Sequence, residues 1–108
     1  MKERRRFLRI PLSVPVKVKP LTTLKSFGNL SKNISVGGIK FLSRKFLPVS
    51  TYIKTELEIY EKSLPIKFIA RIVWIRSLYN DELFEVGAEI CQIQPYDLYR
   101  LKILFSRK

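Results

Sequence analysis

Apolar and polar residues alternate one by one in several short segments, and that period constrains the fold of this chain more than any other feature. Ile53, Thr55, Leu57 and Ile59 alternate with Lys54, Glu56 and Glu58. Successive side chains of an extended backbone point to opposite faces, so such a segment buries one face and wets the other. Leu12, Val14, Val16 and Val18 do the same against Ser13, Pro15, Lys17 and Lys19. Pro15, with no N–H to give a ladder, predicts an edge position there. Phe84, Val86, Ala88 and Ile90 make a third set, with Gly87 on its opposite face. Residues 38–43, and a segment within 21–32, read as two further strands. Residues 66–75 read as a long one whose inward set shifts after Phe68, where Ile69 breaks the alternation. A β-bulge, or a strand apolar on both faces, accounts for that shift. Pro48 with Ser50, Glu61 to Pro65, and Tyr79-Asn80-Asp81 mark turns.

The tail has a different period. Leu98, Leu101, Leu104 and Phe105 recur at helical spacing. Pro95 suits a first helical turn, Asp97 the positive end of the helix dipole, and Arg107 and Lys108 its negative end. Six strands and one terminal helix predict an all-β fold: a small six-stranded antiparallel β-barrel with a C-terminal amphipathic α-helix packed on it. At 108 residues the chain reads as a single domain, with a mobile basic arm over 1–10, the barrel over 11–93 and the helix over 94–107.

Composition narrows the chemistry. Histidine is absent and Cys91 is the one cysteine. This removes the commonest general base and metal ligand, any internal disulfide and any cysteine-rich zinc site. No enzyme, metal or cofactor is expected. Twenty-one basic residues against nine acidic ones give a net charge of +12, which suits polyanionic partners. No run of about 18 apolar residues occurs, so no transmembrane segment is predicted. No apolar stretch of signal-peptide length follows the basic start, and a cytoplasmic location is the expectation.

Two short patterns carry candidate binding chemistry. Arg5-Arg6-Phe7-Leu8-Arg9 lies in an arm whose first ten residues hold four arginines and one lysine. Arg5 and Arg9 share a face in a helix and also in an extended arm, where they stand about 13 Å apart. A guanidinium is a planar fork for phosphate or for the O6 and N7 edge of guanine, and it stacks on a base as lysine cannot. The second pattern is Asn33-Ile34-Ser35-Val36-Gly37-Gly38. Asn33 and Ser35, two apart, share a face of an extended chain, and the glycines permit a sharp turn or a close approach. By itself this stretch reads as a hairpin turn.

Together the two patterns resemble the PilZ domain family, whose signature is R-x-x-x-R in an N-terminal arm followed by D/N-x-S-x-x-G on the barrel. The proline-punctuated first strand, Pro48, Arg71-Ile72-Val73-Trp74, Val86-Gly87-Ala88-Glu89 and the closing helix extend the likeness over nearly the whole chain. The resemblance implies a stand-alone receptor for the bacterial second messenger cyclic di-GMP. It implies that Arg5 and Arg9 grip phosphates and guanines and fold the arm over the ligand. Asn33 and Ser35 then meet a guanine on the barrel side, and Gly37 and Gly38 leave room for backbone approach. Arg4 stands where the family's choice between one ligand and a stacked pair is associated, and an arginine there favours the pair. Closure of the arm alters a surface offered to a protein effector, unidentified here, such as a component of motility or exopolysaccharide machinery.

Two alternatives remain: a small basic barrel that binds nucleic acid, and a PilZ-like module that binds only a protein. Aromatics that mostly fall in apolar sets, and intact motifs, weigh against them. The remaining side chains receive structural readings. Phe68, Trp74 and Phe84 are expected in the core, Tyr96 and Tyr99 in the helix–sheet seam, and Cys91 in a buried apolar site. Lys40, Arg44 and Arg76 are expected as solubilising surface charges.

Overall fold

The computed structural model describes residues 10–11, 13–22, 27–59, 63–80 and 82–106. Seven strands and one helix follow in order: β1 (Ile10–Pro11), β2 (Pro15–Pro20), β3 (Phe27–Ile34), β4 (Gly38–Ser43), β5 (Tyr52–Leu57), β6 (Ile66–Leu78), β7 (Leu83–Ile93) and α1 (Pro95–Ser106). Every pairing is antiparallel. Neighbours run β3-β2-β5-β6-β7-β4, and β4 pairs back onto β3. The ring is therefore closed, which leaves its six strands without the unpaired edges that invite aggregation. This is the six-stranded barrel that the alternation predicts, with a helix after it.

The two-residue β1 is an addition to that expectation. It continues the line of β2 along β3, pairing Ile10 with Ile34 and Pro11 with Asn33. Between β1 and β2 the line is interrupted. Ser31 bridges the gap: its N–H donates to the Val14 carbonyl at 3.0 Å, and its Oγ accepts from the Val14 N–H at 3.0 Å. Pro15 is not at an edge, since β2 has β3 on one side and β5 on the other. It is the first residue of β2, the other position a ladder tolerates for proline.

The core is the set of inward residues that alternation selects. Val16, Val18, Ile39, Phe41, Ile53, Leu57, Ile66, Phe68, Ile72 and Val86 are all buried, and Leu101 of α1 seals the set from the helix side. Leu104 packs against the same cluster, and Leu98 is half-buried. Helix α1 lies against β6 and begins at Pro95 with Asp97 in its first turn. Asp97 Oδ1 accepts from the Lys67 N–H at 3.3 Å. Arg107 and Lys108, expected at the negative end, lie outside the described residues. Thr55 sits among the inward residues of β5 at 1% exposure, and its hydroxyl has no hydrogen-bond partner among the described residues. Thr55→Val keeps the shape and removes the orphaned hydroxyl. It is expected to raise stability by about 1 kcal/mol, read as a higher denaturant midpoint at unchanged slope.

The register of β6 and β7 differs from the expectation in one informative way. Ile69 does not break the alternation: Ile66, Phe68, Ala70 and Ile72 all point inward. The slip that adds a residue to β6 itself comes later. Ile72 pairs with Ala88 and Trp74 with Gly87, so Val73 is an extra residue, a bulge. A second irregularity leaves Cys91 extra on β7, between the Ile69–Gln92 and Ala70–Ile90 pairs. Cys91 is exposed rather than buried. After Val73 the inward residue is Ile75, and Trp74 turns to the outer wall, 40% exposed.

Candidate functional site on the outer barrel wall

The pattern Asn33 to Gly38 folds as the hairpin joining β3 to β4. The Ser35 N–H donates to the Gly38 carbonyl at 2.9 Å. Ser35 Oγ, on a residue only 2% exposed, accepts from the N–H of Gly37 at 3.1 Å and of Gly38 at 3.2 Å. Serine is favoured here because a short hydroxyl can satisfy turn amides that no strand reaches. The Gly37 carbonyl accepts from Ile90 N–H at 2.9 Å, tying the hairpin to β7. Neither Gly37 nor Gly38 has positive φ, so the turn does not draw on that freedom of glycine. Gly38 is required for a different reason: a Cβ there would lie 2.5 Å from the Ala88 carbonyl oxygen. The close approach at Gly38 is thus between β4 and β7.

Asn33 leads a row of cross-strand neighbours on the outer wall. It pairs with Lys40 of β4, Lys40 with Gly87 of β7, and Gly87 with Trp74 of β6. Gly87 lies flat beneath the indole, since a Cβ there would come within 2.3 Å of Trp74 ring atoms. Lys40 Nζ stands 5.9 Å from the Trp74 ring centroid, within cation–π range.

One step along β7, Glu85 also faces outward, opposite Leu42 and Arg76. It is nevertheless 2% exposed, and a buried carboxylate needs partners. Lys32 Nζ donates to its Oε2 at 2.9 Å, Arg76 donates to its Oε1, and Lys40 Nζ stands 3.8 Å from Oε2. The hydrogen bond from Lys32 holds the Glu85 carboxyl below the usual carboxylate range. Burial pushes the other way, and Arg76 and Lys40 add to the lowering. A neighbouring pair, Arg71 with Glu89 at 3.2 Å, is more exposed and contributes little to stability.

Of the residues singled out in the sequence, Asn33, Ser35, Gly37 and Gly38 come together in this hairpin, while Arg4, Arg5 and Arg9 lie outside the described residues. Trp74 is on the wall and not in the core. Lys40 and Arg76 are ion-pair members rather than plain surface charges, whereas Arg44 is exposed as expected. Phe68 is in the core and Phe84 packs against it. Tyr96 and Tyr99 project into solvent from α1 at 63% and 64% exposure, away from the seam. Sequence reasoning missed Glu85 as a hub. The alternation that turns Phe84, Val86 and Ala88 inward also places Glu85 beside Gly87 on the outer face, so a signal for it was present. Among the described residues no group of three or more His, Cys, Asp or Glu could hold a metal ion. No helix among them is long and apolar enough to cross a membrane.

A closed antiparallel six-strand barrel, sealed by a C-terminal helix and carrying an Asn-x-Ser-x-x-Gly hairpin on its wall, defines the class of domain. The PilZ domain model matches residues 3–104, and the chain belongs to that family. Its fold is similar to that of the Bacillus subtilis inhibitor of motility MotI/DgrA, with a TM-score of 0.76 at 19% identity over 99% of this chain and 54% of that one. It is similar to the PilZ domain of YcgR from Escherichia coli, solved with c-di-GMP, with a TM-score of 0.75 at 18% identity over 96% and 91%. It is also similar to MrkH of K. pneumonia in its c-di-GMP complex, at 0.75 and 15% identity over 97% and 52%. The chain spans about half the length of the MotI/DgrA and MrkH chains, and at these identities the likeness is one of fold. No curated protein matches the chain in sequence.

Proposed function

We propose that the chain is a cyclic di-GMP receptor without catalytic activity, acting in the cytoplasm. The observation that carries this reading is the outer-wall row that runs from Asn33 through Lys40 to Trp74. It offers, side by side, a short amide for a base edge, a cation for a phosphate and an exposed indole for stacking. A cyclic dinucleotide needs all three: two anionic phosphates, two flat bases and their polar edges. Arg5 and Arg9 supply the forks that close over the ligand from the arm, with Arg4 favouring a stacked pair of ligands. Asn33 contacts guanine. Ser35, Gly37 and Gly38 shape the ledge, the Ser35 hydroxyl being engaged by the hairpin amides. Arm closure then changes the surface presented to a protein effector, of motility or exopolysaccharide machinery, because a switch carries a signal only by differential contacts. The structures of the YcgR PilZ domain and of MrkH, both with c-di-GMP, support the reading by family.

Calorimetric titration at about 150 mM salt, where diffuse attraction is screened, tests it. Cyclic di-GMP is expected to bind at micromolar concentration or tighter, with linear GMP and the cyclic adenine analogue binding far more weakly. Arg5→Ala and Arg9→Ala are expected to abolish measurable binding. Trp74→Ala is expected to weaken it about 10-fold, the scale of one lost base–aromatic stack. Absence of both heat and thermal stabilisation by cyclic di-GMP overturns the reading. Binding of single-stranded nucleic acid that tolerates many sequences and falls steeply with salt would put the nucleic-acid barrel in its place.

A further inference from the structure

We infer that Lys32, Lys40 and Arg76 form a phosphate seat on the barrel wall, separate from the arginine arm, and that buried Glu85 is the positioning residue that assembles it. The inference rests on the receptor reading above and assigns residues that neither motif contains. Three strands and a bulge bring these groups together. Lys32 is the residue at which the β3–β4 register slips, between the Ser31–Phe41 and Asn33–Lys40 pairs. Lys40 comes from β4 and Arg76 from β6, on either side of Glu85 of β7.

The electrostatics distinguish a seat from a plain ion pair. Three cations converge on one carboxylate, leaving a local surplus of two positive charges (three minus one). The carboxylate is 2% exposed, while the side chains of Lys32, Lys40 and Arg76 are 44%, 26% and 66% exposed. The anion is thus beneath and the cations reach the surface. Their donors are not used up. An ammonium has three N–H groups and a guanidinium five, and the hydrogen bonds to Glu85 engage one nitrogen each of Lys32 and Arg76. Glu89, also on the outer side of β7, is paired with Arg71. The seat adjoins Asn33 directly, since Lys32 precedes it in sequence and Lys40 faces it across the ladder. Lys40 Nζ also stands over the Trp74 ring, 5.9 Å from its centroid. A base on the indole therefore brings its own phosphate toward the seat. Fixed on strands by a buried anchor, the cations lose little freedom when the ligand arrives, which is where pre-organisation adds affinity.

The test is titration of the full chain with cyclic di-GMP, each variant first checked for an intact melting transition without ligand. Lys32→Ala and Arg76→Ala are each expected to weaken binding 5- to 10-fold and to flatten its dependence on salt. Lys54→Ala removes the same charge from β5, which lies across the ring from β4. It is expected to change affinity less than 2-fold. Lys32→Arg, which keeps the charge, is expected to bind like the wild type. Glu85→Gln raises the net charge by one, so bulk attraction alone would tighten binding. If Glu85 positions the seat, binding weakens about 3-fold instead. Equal losses at Lys54 and Arg76 would reduce the seat to diffuse charge and overturn it. So would wild-type affinity in both Lys32→Ala and Arg76→Ala, while tighter binding by Glu85→Gln would remove Glu85 from its positioning role. In all three cases the receptor reading stands. Failure of the wild type to bind cyclic di-GMP removes the receptor reading and this inference together.

Discussion

Replacing Lys32 and Arg76 together by alanine is expected to cost about 3 kcal/mol of stability at pH 7, and clearly less near pH 4. The cost at neutral pH follows from what is left behind. Glu85 is buried, and without its two hydrogen-bonded cations Lys40, at 3.8 Å, is the one cation among the described residues that remains to compensate it. Stripping a buried charge of its partner is worth several kcal/mol. The pH dependence has opposite signs in the two proteins. In the wild type the folded-state pKa of Glu85 lies below its ordinary value. Its stabilisation is therefore full above the ordinary carboxylate pKa and is lost as pH falls through the folded one. In the double variant the Lys32 and Arg76 contacts are gone and burial outweighs the remaining pull of Lys40, so the folded pKa rises. Protonation then relieves the variant as pH falls, and the two stability curves converge. Denaturant melts of both proteins between pH 4 and 7 measure this directly. A difference that stays constant across the range would show that the loss comes from side-chain packing and not from charge.

Gly38→Ala is expected to destabilise the fold by about 2–3 kcal/mol, an overpacking cost at the upper end for one added methyl. Its Cβ would meet the Ala88 carbonyl oxygen at 2.5 Å and the Glu89 Cα at 3.3 Å. Both are backbone atoms of a paired strand, which cannot swing aside as a side-chain end can. The hairpin must lift from β7, and the Gly37 carbonyl contact with Ile90 N–H is the first to suffer. Gly87→Ala is the informative comparison, because its new Cβ meets the movable Trp74 ring and the damage falls on the indole's position. A Gly38→Ala protein with an unchanged melting midpoint would mean that β4 and β7 can separate freely at this end.

How much was legible follows from where the period of two could be read. In β5 Ile53, Thr55 and Leu57 alternate one by one with Lys54 and Glu56, and both β4 and β5 begin and end within two residues of the expected places. The helix period of Leu98, Leu101 and Leu104 gave both α1 and its buried face. The pattern fails where consecutive residues are all apolar. Val73, Trp74 and Ile75 look alike on a hydrophobicity scale, so a one-residue slip among them leaves no trace in the sequence. That slip decides whether Trp74 is core or wall. The expected shift falls at Ile69 because an apolar residue stands where a polar one is due; in the structure Ile69 is a half-buried residue of the outer wall. Cys91 was missed for the same reason, as the second irregularity lies beside it. The hairpin residues were found as a group, whereas the cations around Glu85 were not. Lys32, Lys40, Arg76 and Glu85 are scattered over more than fifty positions, and only closure of the ring makes them neighbours.

The two-residue strand β1 sets a length scale for the arm that precedes it. Pro11 faces Asn33 across the ladder and Ile10 faces Ile34, so the chain enters the fold at the ledge itself. Arg9 is one covalent link from that anchor and Arg5 is five, a tether of at most roughly 17 Å when fully extended. Covalent geometry alone keeps the backbone from Arg5 to Arg9 within that distance of Ile10. On the receptor reading proposed above, the encounter of these arginines with a ligand at Asn33 is an intramolecular event, at the high effective concentration that short tethers impose. Residues inserted between Arg9 and Ile10 would dilute the arginines without touching a single contact, and the ligand would feel the difference as distance alone.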